Sequence, residues 1–199
     1  MKKLIYVILA IILILVVAGF IMGPKFYNQG IQLREDATSQ WANVESAYQR
    51  RADLIPNIVS TAKGYAEFEQ ETLTMVIEAR SKATGVTIDP SNITPAQLEQ
   101  FQEVQSGLTS ALARLLAVFE RYPDLKANEN FKELINELER TENRINVERN
   151  RFNEKVKPFN VHLQSFPNNI LNMFIGKFEE MEYFEAADGT DEAPVVDFN

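Results

Sequence analysis

The sequence predicts an all-α protein in which an N-terminal transmembrane helix precedes an antiparallel, up-and-down four-helix bundle. Three observations lead to this prediction: an uncharged apolar run near the N-terminus, four later stretches in which apolar residues recur every three or four positions, and a lack of β-rich runs. Short connections between the four stretches favour helices that neighbour one another in chain order.

The uncharged run begins at Leu4 and ends at Met22. At 1.5 Å per residue it is about 28 Å long, close to the ~30 Å hydrocarbon core of a bilayer. Gly23 and Pro24 close the run, and no small-x-small cleavage site follows, which favours a retained anchor over a cleaved signal peptide. The chain has no Cys, so a lipid anchor on cysteine is excluded. We expect residues 1–25 to be a single-pass anchor with the lipid bilayer as its partner.

The lysines around this run predict its orientation. Lys2 and Lys3 precede the run, whereas Lys25 and Arg34 are spread over a longer stretch after it. The higher density of positive charge on the short side favours an N-terminus in the cytoplasm. We therefore expect the helical domain to lie outside, across the membrane from the N-terminus.

Composition narrows the class of partner. Residues 26–182 are enough for one domain with its own core. The net charge of −8 argues against a nucleic-acid surface and leaves no polybasic patch for anionic lipid, so a protein is the expected partner. Residues 183–199 carry acidic side chains and no Lys or Arg, which predicts a solvated tail.

The first two bundle helices are predicted on either side of a proline. Apolar residues favour a long helix over residues 26–53, with a kink at Gly23 and Pro24 where it continues from the membrane span. Asp53 and Pro56 predict a tight break, because Asp caps helices and Pro is favoured in a first turn. A second helix should then extend to about residue 83.

Clearer signals begin the third and fourth helices. Thr94, followed by Pro95 and Gln97, is a capping box, and this helix should stop before Pro123. The fourth helix should begin near Asn128. It should bend at Pro158 and end at Phe166 and Pro167, and a short apolar helix over residues 169–181 should follow.

Four charged residues interrupt the apolar stripes: Arg34, Glu69, Glu142 and Arg149. Their balanced signs and their register predict that they converge inside the bundle. The favoured interpretation is a buried ion-pair network that fixes helix register, since an unpaired buried charge would cost several kcal/mol. The alternative is a ligand or catalytic site.

Catalytic and metal-binding motifs are missing. A carboxylate di-metal bundle needs Glu-x-x-His, but the single His162 has Phe159 three positions before it. The sequence also has no Cys, no Gly-x-Ser-x-Gly and no Gly-rich phosphate loop. We predict no enzyme activity, cofactor, metal, nucleic-acid partner or small-molecule substrate, and we expect His162 at the surface or at a helix cap.

Aromatic residues near the C-terminus form a candidate interaction surface. Phe174 and Phe178 belong to an apolar segment that either packs over one end of the bundle or touches the membrane or a partner. Tyr183, Phe184 and Phe198 interrupt the acidic tail with apolar anchors. Such anchors suit docking, either on this domain or on another protein.

Several blocks of sequence resemble the LemA family of bacterial membrane proteins. These blocks are residues 50–57 with 63–66, 138–139 with 141–145, 148–149 with 152–153 and 159–160, and 166–170. The resemblance extends from the anchor to the last residues. It implies a single-span protein with an antiparallel four-helix domain, no established catalytic activity, envelope functions and, in one magnetosome-forming case, membrane organisation.

These observations favour a membrane-anchored helical scaffold or adaptor that binds an envelope protein. The alternative is a membrane-organising protein that self-assembles through its bundle and residues 170–178. A remote alternative is an enzyme or metal site built on Glu69, Glu142 and Arg149. It predicts that Glu142→Gln abolishes function while leaving thermal stability unchanged.

Overall fold

A computed structural model of the chain describes residues 2–64, 69–90 and 93–185, and in these residues all regular secondary structure is helical. The helices, in chain order, are α1 (Lys2–Lys63), α2 (Gln70–Gly85), α3 (Pro95–Phe119), α4 (Pro123–Ala127), α5 (Glu129–Gln164) and α6 (Asn168–Leu171). A π-helical turn, Asn172–Gly176, follows α6, and residues 177–185 are extended. We call residues 177–185 the C-terminal strap.

The predicted break at Asp53 and Pro56 is wrong, because α1 continues through both residues to Lys63. A proline inside a helix leaves the carbonyl four residues earlier without its donor. Here that carbonyl belongs to Ala52, and the Nε of Arg80 on α2 donates to it at 2.7 Å. A side chain from the neighbouring helix therefore replaces the bond that Pro56 cannot make.

The predicted starts of the third and fourth helices are confirmed. The Thr94 hydroxyl accepts a hydrogen bond from the Gln97 N–H, and the Gln97 side chain accepts one from the Thr94 N–H, so the capping box is complete. The Asn128 side chain accepts from the Phe131 N–H at 3.0 Å and caps α5. The short helix α4 between them was not predicted.

Contacts between α1 and α5 run in opposite directions along the two helices. Near residue 26, α1 contacts His162, and its Gln40 and Arg50 contact Glu148 and Glu137 of α5. Helices α2 and α3 also pack together, and α2 packs on α1.

Two apolar clusters form the core. One lies around Leu108, Leu115 and Phe131 and joins α1 to α5 with α2, α3 and α4. The other lies around Trp41 and Phe159 and joins α1, α3 and α5 with the C-terminal strap. The strap thus completes the second cluster.

The predicted helix over residues 169–181 is replaced by α6, the π-helical turn and the strap. Lys177 ends the turn in the left-handed region, with φ of 50°. The Asn172 side chain then bonds both the N–H and the carbonyl of Phe178, each at 2.9 Å. These bonds turn the backbone out of a helix and along the domain. The predicted end of the fourth helix is confirmed, while α5 continues through Pro158.

Candidate functional site

The first third of α1 is apolar, and no other part of the chain that the structure describes covers it. An 18-residue window with mean hydropathy 3.3 has none of its described residues buried, and it is the only helix in the described part of the chain with the length and composition to cross a membrane. Its exposed apolar side chains continue to Met22, and burial begins at Gly23 and Phe26. One helix therefore contributes both the apolar segment and a side of the folded domain.

The four charges predicted to converge do not meet. Arg34 lies over the Phe178 ring at 5.6 Å, and Glu69 pairs with Arg121 at 2.8 Å near an exposed surface. Only Glu142 and Arg149 line the same groove. All four side chains are half-buried, whereas the charged side chains of Arg51 and Glu148 are fully buried.

Arg51 is a buried charged residue that the sequence did not lead us to predict. Its side chain is 1% exposed, and its guanidinium donates to Glu142 at 2.6 Å and to the Thr109 hydroxyl at 2.8 Å. It also donates to the Gln105 side-chain oxygen at 2.5 Å, and Gln105 in turn donates to the Ala83 carbonyl at 3.2 Å. Arg51 therefore links α1 to α3 and α5, and through Gln105 to α2. Counting in sevens from Val44 reaches it, so the signal was in the sequence.

A groove of about 660 Å³ opens above Arg51. Its lining residues come from α1, α3, α5 and the strap, and they are Tyr48, Arg51, Glu99, Gln102, Glu103, Gln105, Ser106, Thr109, Glu142, Ile145, Asn146, Arg149 and Glu185. Among them, Glu99, Glu103 and Glu185 are exposed carboxylates. The groove therefore has an acidic rim and a buried guanidinium at its base.

The groove contains a buried phenol, that of Tyr48, and a buried guanidinium nitrogen, the Nε of Arg51. Burial raises the pKa of the Tyr48 phenol above its ordinary value of 10.0, and the nearby Arg149 and Arg51 charges oppose this shift. The Arg51 guanidinium also lies 5.2 Å from the Tyr48 ring centroid. Its Nε is buried without a hydrogen-bond partner among the described residues. Tyr48 thus stays neutral beyond the pH at which an exposed tyrosine ionises.

Glu148 is a second charge that the sequence analysis missed. It is buried on α5, where the Gln40 side chain donates to it at 2.7 Å and Arg151 pairs with it at 3.1 Å. These partners satisfy the carboxylate and tie α1 to α5. The hydrogen bond and the ion pair therefore give Glu148 a structural role.

His162 is buried and not at the surface, which corrects the expectation. Its ring stacks on Phe26 at 5.0 Å, and Nε2 lies 3.0 Å from the Phe26 carbonyl. The Asn168 amide lies 3.2 Å from Nδ1. Because a carbonyl accepts and an amide N–H donates, the neutral ring protonated at Nε2 satisfies both contacts. Within the described residues, no group of three or more His, Cys, Asp or Glu could hold a metal ion.

The C-terminal strap is held by two asparagines of α5. Asn160 accepts from the Met181 N–H at 2.9 Å and donates to its carbonyl at 2.8 Å. Asn153 makes the same pair of bonds with Phe184, at 2.9 and 2.8 Å. Each amide thus acts like a neighbouring strand toward the strap backbone.

The predicted aromatic surface divides into buried and exposed members. Phe184 is 4% exposed and stacks on Trp41 with the ring centroids 5.6 Å apart, and Phe178 is half-buried. Tyr183 and Phe174 are exposed, at 40% and 76%. Residues 183–185 therefore belong to the folded strap and not to a solvated tail, because Phe184 completes an aromatic cluster. Phe198 and the rest of the tail, residues 186–199, lie outside the described residues.

The exposed apolar segment and the helical domain define a membrane-associated helical protein. Residues 40–198 match the family model described as the LemA family, so the chain belongs to that family. This family assignment agrees with the resemblance seen in the sequence blocks.

Three relatives extend the comparison. Magnetosome protein MamQ 2 of Paramagnetospirillum magneticum is 26% identical over 208 residues, which are 94% of this chain and 75% of the relative. Magnetosome protein MamQ of Magnetospirillum gryphiswaldense is 25% identical over 85% of this chain and 68% of the relative. Protein LemA of Metamycoplasma hominis is 28% identical over 63% of this chain and 54% of the relative.

Proposed function

We propose that this protein is a membrane-anchored helical scaffold or adaptor of the bacterial cell envelope, which binds another protein and catalyses no reaction. Its N-terminus lies in the cytoplasm and its domain outside. The domain is an antiparallel, up-and-down four-helix bundle of α1 after residue 25, α2, α3 and α5. The opposed contacts of α1 with α5, and the packing of α2 on α1 and on α3, support this arrangement.

One observation carries the proposal: α1 is continuous from the apolar segment into the core of the domain. At about 1.5 Å per residue, its 62 residues extend roughly 93 Å. Phe26, Trp41 and Ile55 bury their side chains along its later part. A flexible linker would let the domain reorient, whereas one helix shared by membrane and core fixes the direction in which the domain projects. Such a fixed projection suits a scaffold.

The groove above Arg51 is the surface that we propose for the partner. Arg51, Gln105 and Glu142 hold its base rigidly through the bonds described above. Its rim presents Glu99 and Glu103 in a chain whose net charge is −8. Charge complementarity favours a partner segment that carries Lys or Arg.

Site-specific photo-crosslinking tests this surface. A photoreactive amino acid would replace Asn146, which is exposed in the groove, in the full chain expressed in its native membrane. The matched control is Lys155, an exposed residue nine positions further along α5 and about 180° around the helix. We expect a discrete protein adduct from position 146 that is absent from position 155.

Charge reversal supplies a second arm of the experiment. Glu99→Lys with Glu103→Lys should reduce the adduct from position 146, because both carboxylates lie on the groove rim. The same adducts from positions 146 and 155, or an adduct unaffected by charge reversal, would contradict the proposal.

A second candidate function is self-assembly that organises a membrane. It is favoured by the relatives named magnetosome proteins and by the exposed apolar side chains of Met173 and Phe174. The detergent-solubilised full chain would then form oligomers. A strictly monomeric protein over a wide concentration range would exclude this function and leave the adaptor.

A further inference from the structure

We propose that residues 166–176, which we call the membrane-proximal loop, insert their apolar side chains into the bilayer surface beside α1. The domain then contacts the membrane twice, through the α1 anchor and through this loop. The inference rests on the membrane anchoring in the proposed function. It names lipid as the partner of a surface in the folded domain.

The loop presents apolar side chains to the outside and contains no charged residue. Phe166, Met173 and Phe174 are 80%, 73% and 76% exposed, and Ile170 and Ile175 are also exposed. Scattered exposed apolar residues are ordinary, but a cluster of this kind marks a surface that is covered by another molecule.

The three asparagine side chains of the loop each make a hydrogen bond within the domain. The Asn168 amide contacts His162, and the Asn169 side chain accepts from the Ile170 N–H at 2.9 Å. The Asn172 side chain holds the backbone of Phe178. Each of these three side chains has at least one internal partner, which lowers the cost of moving the loop into an apolar environment.

The position of the loop indicates that lipid covers its exposed apolar side chains. A Cβ atom on Gly23, the residue directly after the apolar run, would lie 3.0 Å from Cδ1 of Ile175. A Cβ atom on Gly176 would lie 2.8 Å from the Phe26 ring. The loop is therefore at the level where α1 leaves the hydrocarbon, and its surface is continuous with the membrane-facing surface of α1.

The residues around the loop suit the water–lipid boundary. Lys25 and Lys177 are exposed at this end of the domain, and Tyr27 is partly exposed beside them. Lysine and tyrosine are favoured where apolar chains meet headgroups. An interfacial segment of this kind enters about 5–10 Å into the headgroup boundary. A second contact would limit the tilt of the domain about its anchor.

Depth-dependent fluorescence quenching tests the inference. The chain has no Cys, so Phe174→Cys can be labelled with an environment-sensitive fluorophore in the full chain. The labelled protein would be reconstituted in vesicles of phosphatidylcholine and phosphatidylglycerol. Val16→Cys, in the apolar run, and Ser110→Cys, exposed on α3, are matched controls.

We expect nitroxide-labelled lipid to reduce the emission of the label at positions 174 and 16, and iodide to reduce only the emission at 110. Quenching by lipid at 16 but not at 174 would overturn the inference and leave the anchor intact. Protection of 174 from both quenchers would mean that protein covers the loop, which also overturns it. Loss of lipid quenching at position 16 itself would refute membrane anchoring, and with it both proposals.

Discussion

The bond between Arg80 and the Ala52 carbonyl explains why a proline does not end α1, and it can be tested by mutation. Pro56 is exposed, so Pro56→Ala creates no cavity and restores an N–H that can reach the Ala52 carbonyl. Arg80→Met keeps the aliphatic stem and removes the donor that lies 2.7 Å from that carbonyl. The two variants and their combination form a double-mutant cycle.

The magnitude follows from the group that loses its partner. A buried carbonyl without a donor costs about 1–3 kcal/mol, and bonds from charged donors contribute about 1.5–3 kcal/mol. We expect Arg80→Met to lower the free energy of unfolding by about 2 kcal/mol in the natural sequence. In the Pro56→Ala background the Ala52 carbonyl keeps a donor, so the loss should shrink by about 1 kcal/mol or more.

Chemical unfolding followed by circular dichroism would measure all four proteins. Lys82→Met is the control, because Lys82 is exposed on the same helix, and it should change stability by no more than about 0.5 kcal/mol. Equal losses from Arg80→Met in both backgrounds would refute the reasoning, since the cost would then be unrelated to the proline.

Three further predictions concern the strap and the groove. Gly30→Ala should destabilise the domain by about 1–3 kcal/mol in thermal unfolding, because its Cβ would lie 2.8 Å from the Phe178 ring. Its matched control is Gly107→Ala on α3, whose new Cβ would have nothing within 4 Å and which should stabilise the helix by about 0.5–1 kcal/mol. A loss of stability equal to that of Gly30→Ala would contradict the packing account. Asn160→Ala should release the strap from α5 and lower the free energy of unfolding by about 1–3 kcal/mol for each strap backbone group that loses its partner. It should also speed proteolysis after residue 176. An unchanged rate of cleavage would show that the Asn160 side chain does not hold the strap. Because burial raises the pKa of Tyr48, its stabilising contribution is complete below pH 10.0 and declines as pH rises above that value. Tyr48→Phe should flatten the alkaline fall of the melting temperature, and parallel curves would contradict the assignment.

Local chemistry was sufficient to predict some parts of the fold. The Thr94 and Gln97 capping box and the Asn128 cap act within three residues, so their sequence signals are complete in themselves. The apolar run likewise carries its own evidence in length and composition. These features needed no knowledge of the tertiary structure.

The errors arose where distant residues decide the outcome. From the sequence alone Pro56 predicts a helix break. The helix continues because Arg80, 28 positions from Ala52, donates the hydrogen bond that the proline cannot make. Phe184 belongs to an acidic stretch, yet it is buried because its ring packs against Trp41 and Phe152. The Asn153 side chain also bonds the N–H and the carbonyl of Phe184. Arg51 was recoverable from the heptad spacing that starts at Val44, which our count of the apolar stripes did not follow.

The central claim is that α1 holds the helical domain at the membrane, outside the cytoplasm. Ser110 is exposed on α3, and a Ser110→Cys variant carries the only thiol in the chain. Intact cells, with any outer membrane permeabilised, and lysed cells would be treated with a membrane-impermeant maleimide. We expect equal labelling in both samples. Labelling only after lysis would place the domain in the cytoplasm and contradict the account.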